Sequence, residues 1–402
     1  MQIAGMIIEY NPLHSGHLRL LAEIRERLGA QTPVIGVMSG NFVQRGEFSL
    51  LRKHVRAQAA VESGVDLVLE LPLPWAVASA ERFADGGIQV LAATGMVTHL
   101  AFGSESGDAA ALWHLAQVLM DPAWAGHLRR ELGSGISFAQ ARQRAAACLT
   151  EPAEAAMLQD PNNLLGVEYC KALLRRSSAI TPLTVRRVGA GYHETISRED
   201  IPSAAQIRAL LRAGEREGAL SRMAPAMARL YEEEERAGRA PVFDETSERA
   251  MLARLRSMDL GAFAALDEGR EGLYRRLYAA SREAASLRSV LESAKTRRYA
   301  YARLRRMTLW AYLGLTPGTF PAQVPYLRVL AAGERGRLLL ARMRGHAALP
   351  VLTKPADVRR LPDAARDLFD LEVRATDLYT LAYPQLSAAC GGTEWREGPA
   401  IL

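Results

Sequence analysis

The first 28 residues, MQIAGMIIEYNPLHSGHLRLLAEIRERL (Met1–Leu28), decide the fold. Gln2–Glu9 is rich in aliphatic residues and runs into Asn11-Pro12, the pattern of a buried strand closed by a turn. His17–Leu28 then sets apolar residues at helical spacing, with Gly29 as its stop. The same alternation continues outward. Pro33–Met38 predicts a second strand, Leu51–Glu62 a helix, Val65–Glu70 a third strand, Ala80–Ala93 a helix and Thr98–Phe102 a fourth strand. Units of roughly 30 residues imply right-handed crossovers and a parallel sheet of the Rossmann type. Ligands of such sheets sit beyond the carboxyl ends of the strands, which directs attention to Glu9–His17, Ser39–Gly46 and Gly103–Glu105.

Further along, residues 107–160 read as helical, and Pro161-Asn162-Asn163 opens a helix that runs to Arg176. Leu183–Val188 reads as a strand, and Ser203 as the N-cap of a helix to Arg212. Strand signals nearly vanish after about 216. The division expected is an α/β domain over 1–215 and a mainly helical region over 216–402.

The chain has 402 residues, 49% hydrophobic and 23% charged, too apolar for a disordered protein. No apolar run reaches the roughly 18 residues of a membrane span, and the opening residues do not read as a secretory signal, so a cytoplasmic location is expected. Three scattered cysteines (Cys148, Cys170, Cys390) support neither a zinc site nor disulfides and are expected to be buried, reduced thiols. The net charge of +6 is unevenly spread. Ser286–His346 carries twelve Arg/Lys against two acids, so the rest of the chain is net acidic. Such asymmetry points to an anionic partner for one part of the molecule.

The turn after the first strand carries the chemistry. A helix start offers unpaired N–H groups and a partial positive charge to anions. His14 and His17, three apart, point the same way on a helical turn, and Gly16 lets a ligand approach the backbone. Two imidazoles there can donate to a triphosphate as pyrophosphate leaves. The structural alternative is that His14 caps the helix and His17 is a satisfied core residue; no third ligand supports zinc.

In that strand–turn–helix setting, His14-Ser15-Gly16-His17 resembles the signature of the HIGH nucleotidyltransferase superfamily. The wider stretch from Gly5 to His17, the block Met38–Glu47, Asp66–Pro72, Phe102–Glu105, Pro161–Asn163, Arg187 with Gly191-Tyr192-His193, and Thr296–Tyr299 through Arg303 and Arg306 resemble the bacterial tRNA(Met) cytidine acetate ligases. The resemblance implies an α/β nucleotidyltransferase fold. It implies an enzyme that forms acetyl-adenylate from acetate and ATP, with Mg²⁺ accompanying the nucleotide. The acetyl group then passes to N4 of the wobble cytidine of elongator tRNA(Met). It also implies an ATP site over Ile7, Ile8, Glu9, Tyr10, Asn11, Pro12, Leu13, His14, Ser15, Gly16, His17, Leu18, Arg19 and Leu20, completed by Gly103, one of Asn162 or Asn163 (Asn163 favoured), Arg186 and Arg187, with His14 and His17 catalytic. No obligate protein partner is evident.

Two further stretches complete the expectation. Ser203–Arg208 resembles the second superfamily signature, in which Ser203 caps a helix and Arg208 faces the phosphates; an ordinary capped surface helix is the alternative. In Ser39–Arg45, Ser39, Gly40, Asn41, Gln44 and Arg45 provide a loop able to hold acetate or the cytosine. Lys295–Arg306 reads as a basic helix whose Arg297, Arg298, Arg303, Arg305 and Arg306, with Tyr299 and Tyr301, suit tRNA phosphates and exposed bases. Two other functions fit part of the pattern: a small-molecule adenylyl- or cytidylyltransferase, or an RNA-binding protein with a vestigial nucleotide site.

Overall fold

The computed structural model describes residues 1–187, 203–269 and 271–402. Gly191-Tyr192-His193 and Val188 lie outside the described residues. The strands are β1 (Ala4–Ile8), β2 (Val34–Ser39), β3 (Phe42–Val43), β4 (Glu47–Phe48), β5 (Leu67–Leu71), β6 (His99–Ser104), β7 (Thr181–Arg186), β8 (Leu327–Ala332), β9 (Val351–Leu352) and β10 (Ala400–Ile401). The helices used below are α1 (Ser15–Leu28), α2 (Lys53–Glu62), α3 (Ala80–Ala93), α4 (Pro161–Arg175), α5 (Ala204–Arg212), α6 (Tyr301–Leu313), α7 (Glu334–His346) and α8 (Asp363–Thr380).

The main sheet runs β10-β8-β5-β2-β1-β6-β7, with β9 also on β8. β1, β2, β5, β6 and β7 are parallel, as the near-continuous aliphatic runs AGMII, VIGVMS and LVLEL require for strands covered on both faces. The chain steps from β1 outward to β2 and β5, then returns to the other side of β1 for β6. Strand order therefore reverses beside β1, where a doubly wound sheet opens its ligand crevice.

The expected α/β class holds, and each expected strand before 216 is present within a few residues. The later strands were not anticipated. β8 pairs antiparallel with β5, and β9 and β10 pair with β8. The region after 216 is thus built into the same sheet. β8, LRVLAA, is short, carries Arg328 and is rich in helix formers, so its periodicity does not separate strand from helix. The cysteine expectation is also corrected: Cys170 is buried, but Cys148 and Cys390 are exposed.

The first helix of the second crossover carries charge into the core. Lys53 opens α2 with its side chain 1% exposed, 2.6 Å from Glu70 Oε1 on β5 and in contact with Glu394. Arg328 of β8 contacts the same two carboxylates, at 3.3 Å from Glu70 Oε2. Burial and Arg328 oppose the Lys53 charge, but Glu394, Glu70 and Glu372 outweigh them and hold its pKa above the ordinary lysine value. A third carboxyl, Glu372 of α8, is pushed up to about 8 by burial and by Glu70, so it keeps its proton at neutral pH. Two cations then face two carboxylates. Removing one member strands an opposite charge, which costs about 3–5 kcal/mol. Lys53→Met should lower the unfolding free energy by that amount in urea titration, whereas Lys295→Met on the surface should change it by less than about 0.5 kcal/mol.

Candidate functional site

β1 ends at Ile8, and the next six residues form a bend with little freedom. Tyr10 is buried at φ 47°, a left-handed conformation uncommon for a non-glycine residue. The surroundings fix it. Asn11 Oδ1 accepts from Leu50 N at 2.7 Å, and the Asn11 carbonyl accepts from Arg208 Nη1 at 2.6 Å. The Leu13 carbonyl accepts from Ala224 N at 3.0 Å. Arg56, buried on α2, donates to the backbone carbonyls of Glu9, Ser39 and Gly40 and so ties the turns after β1 and β2 together.

At the end of this bend, His14 and His17 cap α1 reciprocally. His14 Nδ1 accepts from Gly16 N at 3.1 Å, and His17 Nδ1 accepts from His14 N at 3.2 Å. The two rings lie with centroids 3.9 Å apart. Because each Nδ1 accepts from a backbone N–H, a neutral ring carries its proton on Nε2. Burial and the Arg187 charge lower the His14 pKa to about 4. Burial, His14 and Arg187 hold His17 well below its ordinary value of 6.5. Both rings are therefore neutral at pH 7, and each has an Nε2–H without a partner among the described residues. The capping reading is met through Nδ1 of each ring, which leaves Nε2 available for another role.

The rest of the stretch Ile7–Leu20 divides between core and surface. Ile7 packs against Gly87, Ile8 against Gly36, and Leu13 is fully buried. Pro12 is buried; Leu18 and Leu20 pack on the core; Ser15 and Arg19 are exposed, with Arg19 4.0 Å from Glu23. Glu9 is partly buried, its Oε1 accepting from Gln44 N at 2.7 Å and Ser39 Oγ at 3.4 Å. Burial raises its pKa, against the pull of the Gln44 N–H and of Arg56, Arg45 and Arg208.

Across the crevice, Gly103 near the end of β6 faces Arg187: an added Cβ would lie 3.2 Å from Arg187 Cγ. Arg186 and Arg187 are exposed at the end of β7. Asn163 does not stand open to a ligand. It is buried, its Oδ1 accepting from Ser106 N at 3.0 Å and its Nδ2 donating to Asp160 at 3.1 Å. Glu105 accepts from the backbone N–H groups of Asn162 and Asn163 and from Asn162 Nδ2, capping α4. These asparagines shape the loop after β6.

The other expected residues are placed as follows. Ser203 caps α5 in a box with Gln206, while Arg208 is held by the Asn11 carbonyl and by Glu47 at 2.9 Å instead of standing open to a phosphate. Asn41 is also used internally. Its Oδ1 accepts from Lys53 N at 2.8 Å and its Nδ2 donates to Thr376 Oγ1 at 3.1 Å. Gln44 Nε2 donates to the Ala78 carbonyl at 3.1 Å, and Gly40 leaves room for Glu70, 2.8 Å from where a Cβ would stand. Arg45 is exposed with its charge near Glu9. The expected basic helix starts only at Tyr301, and Lys295–Ala300 is turn and coil. Arg305 pairs with Asp244 at 2.6 Å and Arg306, buried, with Glu268 at 2.6 Å. Beyond Arg306 the helix runs into the core, with Met307 and Thr308 buried.

Arg56 was not anticipated as a site residue, and Glu105 falls in the stretch Gly103–Glu105 singled out above but without its capping role. The signal for Arg56 is a charge set among Val55, Ala57, Ala59 and Ala60, all of which are buried. No helix among the described residues is long and apolar enough to cross a membrane.

The model of the HIGH nucleotidyl transferase family matches residues 1–393. A tRNA(Met) cytidine acetate ligase of Acetivibrio thermocellus is 33% identical over the full length of both chains. One of Caldanaerobacter subterraneus is 35% identical over 95% of this chain and 96% of its own. The chain belongs to the tRNA(Met) cytidine acetate ligase family. Two crystal structures of Thermotoga maritima TmcAL, each 34% identical and covered completely, superpose with TM-scores of 0.92 (bound with alpha-thio ATP) and 0.94 (apo).

The histidine pair yields a direct pH test. Neither ring should titrate between pH 5.5 and 8 in histidine NMR spectra, whereas a surface histidine should turn over near 6.5. In the unfolded chain both rings take up protons near 6.5 that the fold excludes. The pair therefore makes the protein lose stability as pH falls below 6.5 toward 4, to be read from urea midpoints across that range.

Proposed function

We propose that this protein activates acetate with ATP and transfers the acetyl group to N4 of the wobble cytidine of elongator tRNA(Met). The observation that carries the reading is the pair of neutral imidazoles at the start of α1, each with an unpartnered Nε2–H, in a chain that aligns end to end with ligases of that name.

An acetate oxygen attacks the α-phosphorus of ATP, the bond to the β-phosphate oxygen breaks, and pyrophosphate leaves. The Nε2–H groups of His14 and His17 donate to the phosphate oxygens as charge shifts toward the leaving group, and the partial positive charge at the start of α1 favours the anion there. Neutral donors suit this task, since they keep their protons without holding the product pyrophosphate as tightly as an imidazolium would. Arg187 and Arg186 stand on the far side as phosphate forks, and Gly103 leaves room for the adenosine. The cytidine amine then attacks the acetyl carbonyl, AMP leaves with the anhydride oxygen, and the amine gives up a proton. Because that amine is a poor nucleophile, positioning must supply much of the rate. The loop Ser39–Arg45, anchored by Asn41 and Gln44, forms the wall against which acetate and cytosine would rest.

Mg²⁺ would neutralise the triphosphate. Among the described residues there is no group of three or more His, Cys, Asp or Glu arranged to hold a metal, so a protein cage does not fit and the ion would come with the nucleotide.

Incubation with labelled acetate, ATP and elongator tRNA(Met), followed by RNA digestion, should yield N4-acetylcytidine together with AMP and pyrophosphate. Pyrophosphate release to another acceptor would replace this reading with a small-molecule nucleotidyltransferase. RNA binding without ATP turnover would replace it with a binding protein. His14→Asn provides the sharper residue test. Asparagine still caps a helix but has no donor where Nε2 stands, so thermal stability should be retained while acetate-dependent ATP–pyrophosphate exchange falls by about 10²–10³-fold. His17→Ala should lose a similar factor, with tRNA affinity within about twofold of wild type.

A further inference from the structure

The positive charge concentrated over Ser286–His346 separates into two parts in the fold. Its first part is largely paired within the protein, apart from Arg297, which is exposed with no ion pair among the described residues, and Lys295, whose Nζ donates to the Thr296 carbonyl. Arg288 pairs with Glu292, Arg298 and Arg303 with Glu271, Arg305 with Asp244 and Glu47, Arg306 with Glu268, and Arg328 with Glu70 and Glu394. The second part is left more open, although Arg335 pairs with Asp66 at 3.0 Å. Arg337 and Arg344 of α7 are exposed, with no ion pair and no side-chain hydrogen bond among the described residues, and the same holds for Arg360.

These three arginines stand around one cavity of about 550 Å³. Arg337, Leu340, Ala341 and Arg344 follow the i, i+3, i+4, i+7 positions of one helical face and make one wall. β9 and the turn Pro355–Arg360 make the other, with Leu352 and Leu361 on the floor. The acid beside it, Asp357, is engaged by its own turn: Oδ2 accepts from Thr353 N at 3.0 Å, Thr353 Oγ1 at 3.3 Å and Lys354 N at 3.1 Å. An apolar floor of this volume admits a small planar molecule, and three unpaired guanidinium groups at the rim demand more than one anionic group. Arg337 and Arg344 lie roughly 10 Å apart along the helix axis, and their long side chains can converge on successive phosphates of one strand.

We propose that this cavity is an RNA-anchoring site that takes one unstacked nucleotide of a single-stranded RNA segment, its flanking phosphates held by Arg337, Arg344 and Arg360. The base enters the apolar cavity and stacks on guanidinium planes, and the backbone charges replace the missing carboxylates. The site rests on the reading above only in taking tRNA as the RNA. Binding is measured without ATP or acetate, so it is decided whether or not the chain acetylates anything.

The test compares wild type, the triple variant Arg337→Glu/Arg344→Glu/Arg360→Glu, and Ala341→Trp, which fills the cavity without changing charge. All the altered side chains are exposed, and unchanged thermal unfolding verifies the fold. The probes are elongator tRNA(Met), CMP and a polyglutamate peptide. The triple variant should bind the tRNA at least about tenfold more weakly at 0.1 M salt, with the slope of log affinity against log salt reduced by about 2, the loss of three phosphate contacts. Ala341→Trp should also weaken binding severalfold but leave that slope in place. Wild-type tRNA affinity in the triple variant overturns the site. Weakening by the triple variant but not by Ala341→Trp overturns the nucleotide cavity. CMP binding as tight as the tRNA assigns the cavity to a free nucleotide and overturns the RNA anchor. Tight polyglutamate binding with no RNA binding assigns it to an acidic protein and overturns it likewise.

Discussion

Lys53 carries an ammonium group into the centre of the molecule, and the two ends of the chain meet around it. Its charge is held by Glu70 from β5 and by Glu394 from near the carboxyl terminus, while Arg328 of β8 shares both acids. Its backbone N–H holds Asn41, which reaches Thr376 on α8, and Thr376 donates to Glu394 Oε2 at 2.7 Å. The circuit closes on itself with its donors and acceptors matched, as a buried polar network must to avoid destabilising the core. Its consequence for the site is direct. Asn41 heads the loop after β2, so the position of that loop depends on residues more than three hundred positions away in the chain.

The same linkage explains why a boundary near residue 215 does not describe how the molecule is held together. A helical region attached by a linker could move as a unit against the nucleotide crevice. Here β8 is hydrogen-bonded to β5, and Tyr379 of α8 donates to the Ser49 carbonyl at 2.9 Å. The hairpin β3–β4 turns at Gly46, where a Cβ would stand 2.5 Å from the Arg306 backbone nitrogen of α6. Residues from the second half therefore form the back of the loops that follow β1 and β2.

What the sequence revealed and what it hid follow from the range of the interactions. The first parallel strands and their helices were legible because their signals are local: aliphatic runs, helical periodicity, and glycine or proline at the ends. The histidine pair was legible for the same reason, since a cap involves residues three apart. The roles of Asn163, Asn41 and Arg208 were not. Each carries a polar group suited to a ligand, and each is instead used by a partner distant in sequence: Ser106 for Asn163, Thr376 for Asn41, Asn11 and Glu47 for Arg208. Residue type states what a side chain can bond, and only the fold states what it has already bonded.

Charge counting is subject to the same distinction, with a different outcome at each end of the basic stretch. A buried arginine already paired with a half-buried carboxylate, as Arg306 is with Glu268, attracts a phosphate only by giving up that partner and leaving an acid uncompensated. An exposed, unpaired arginine gives up only hydration and counterions, and releasing those counterions is itself favourable. Equal formal charges therefore have unequal value for binding a polyanion. The useful quantity is the charge that remains after internal pairing, and between the two helices of this stretch that remainder lies on α7, at Arg337 and Arg344, and not at the start of α6.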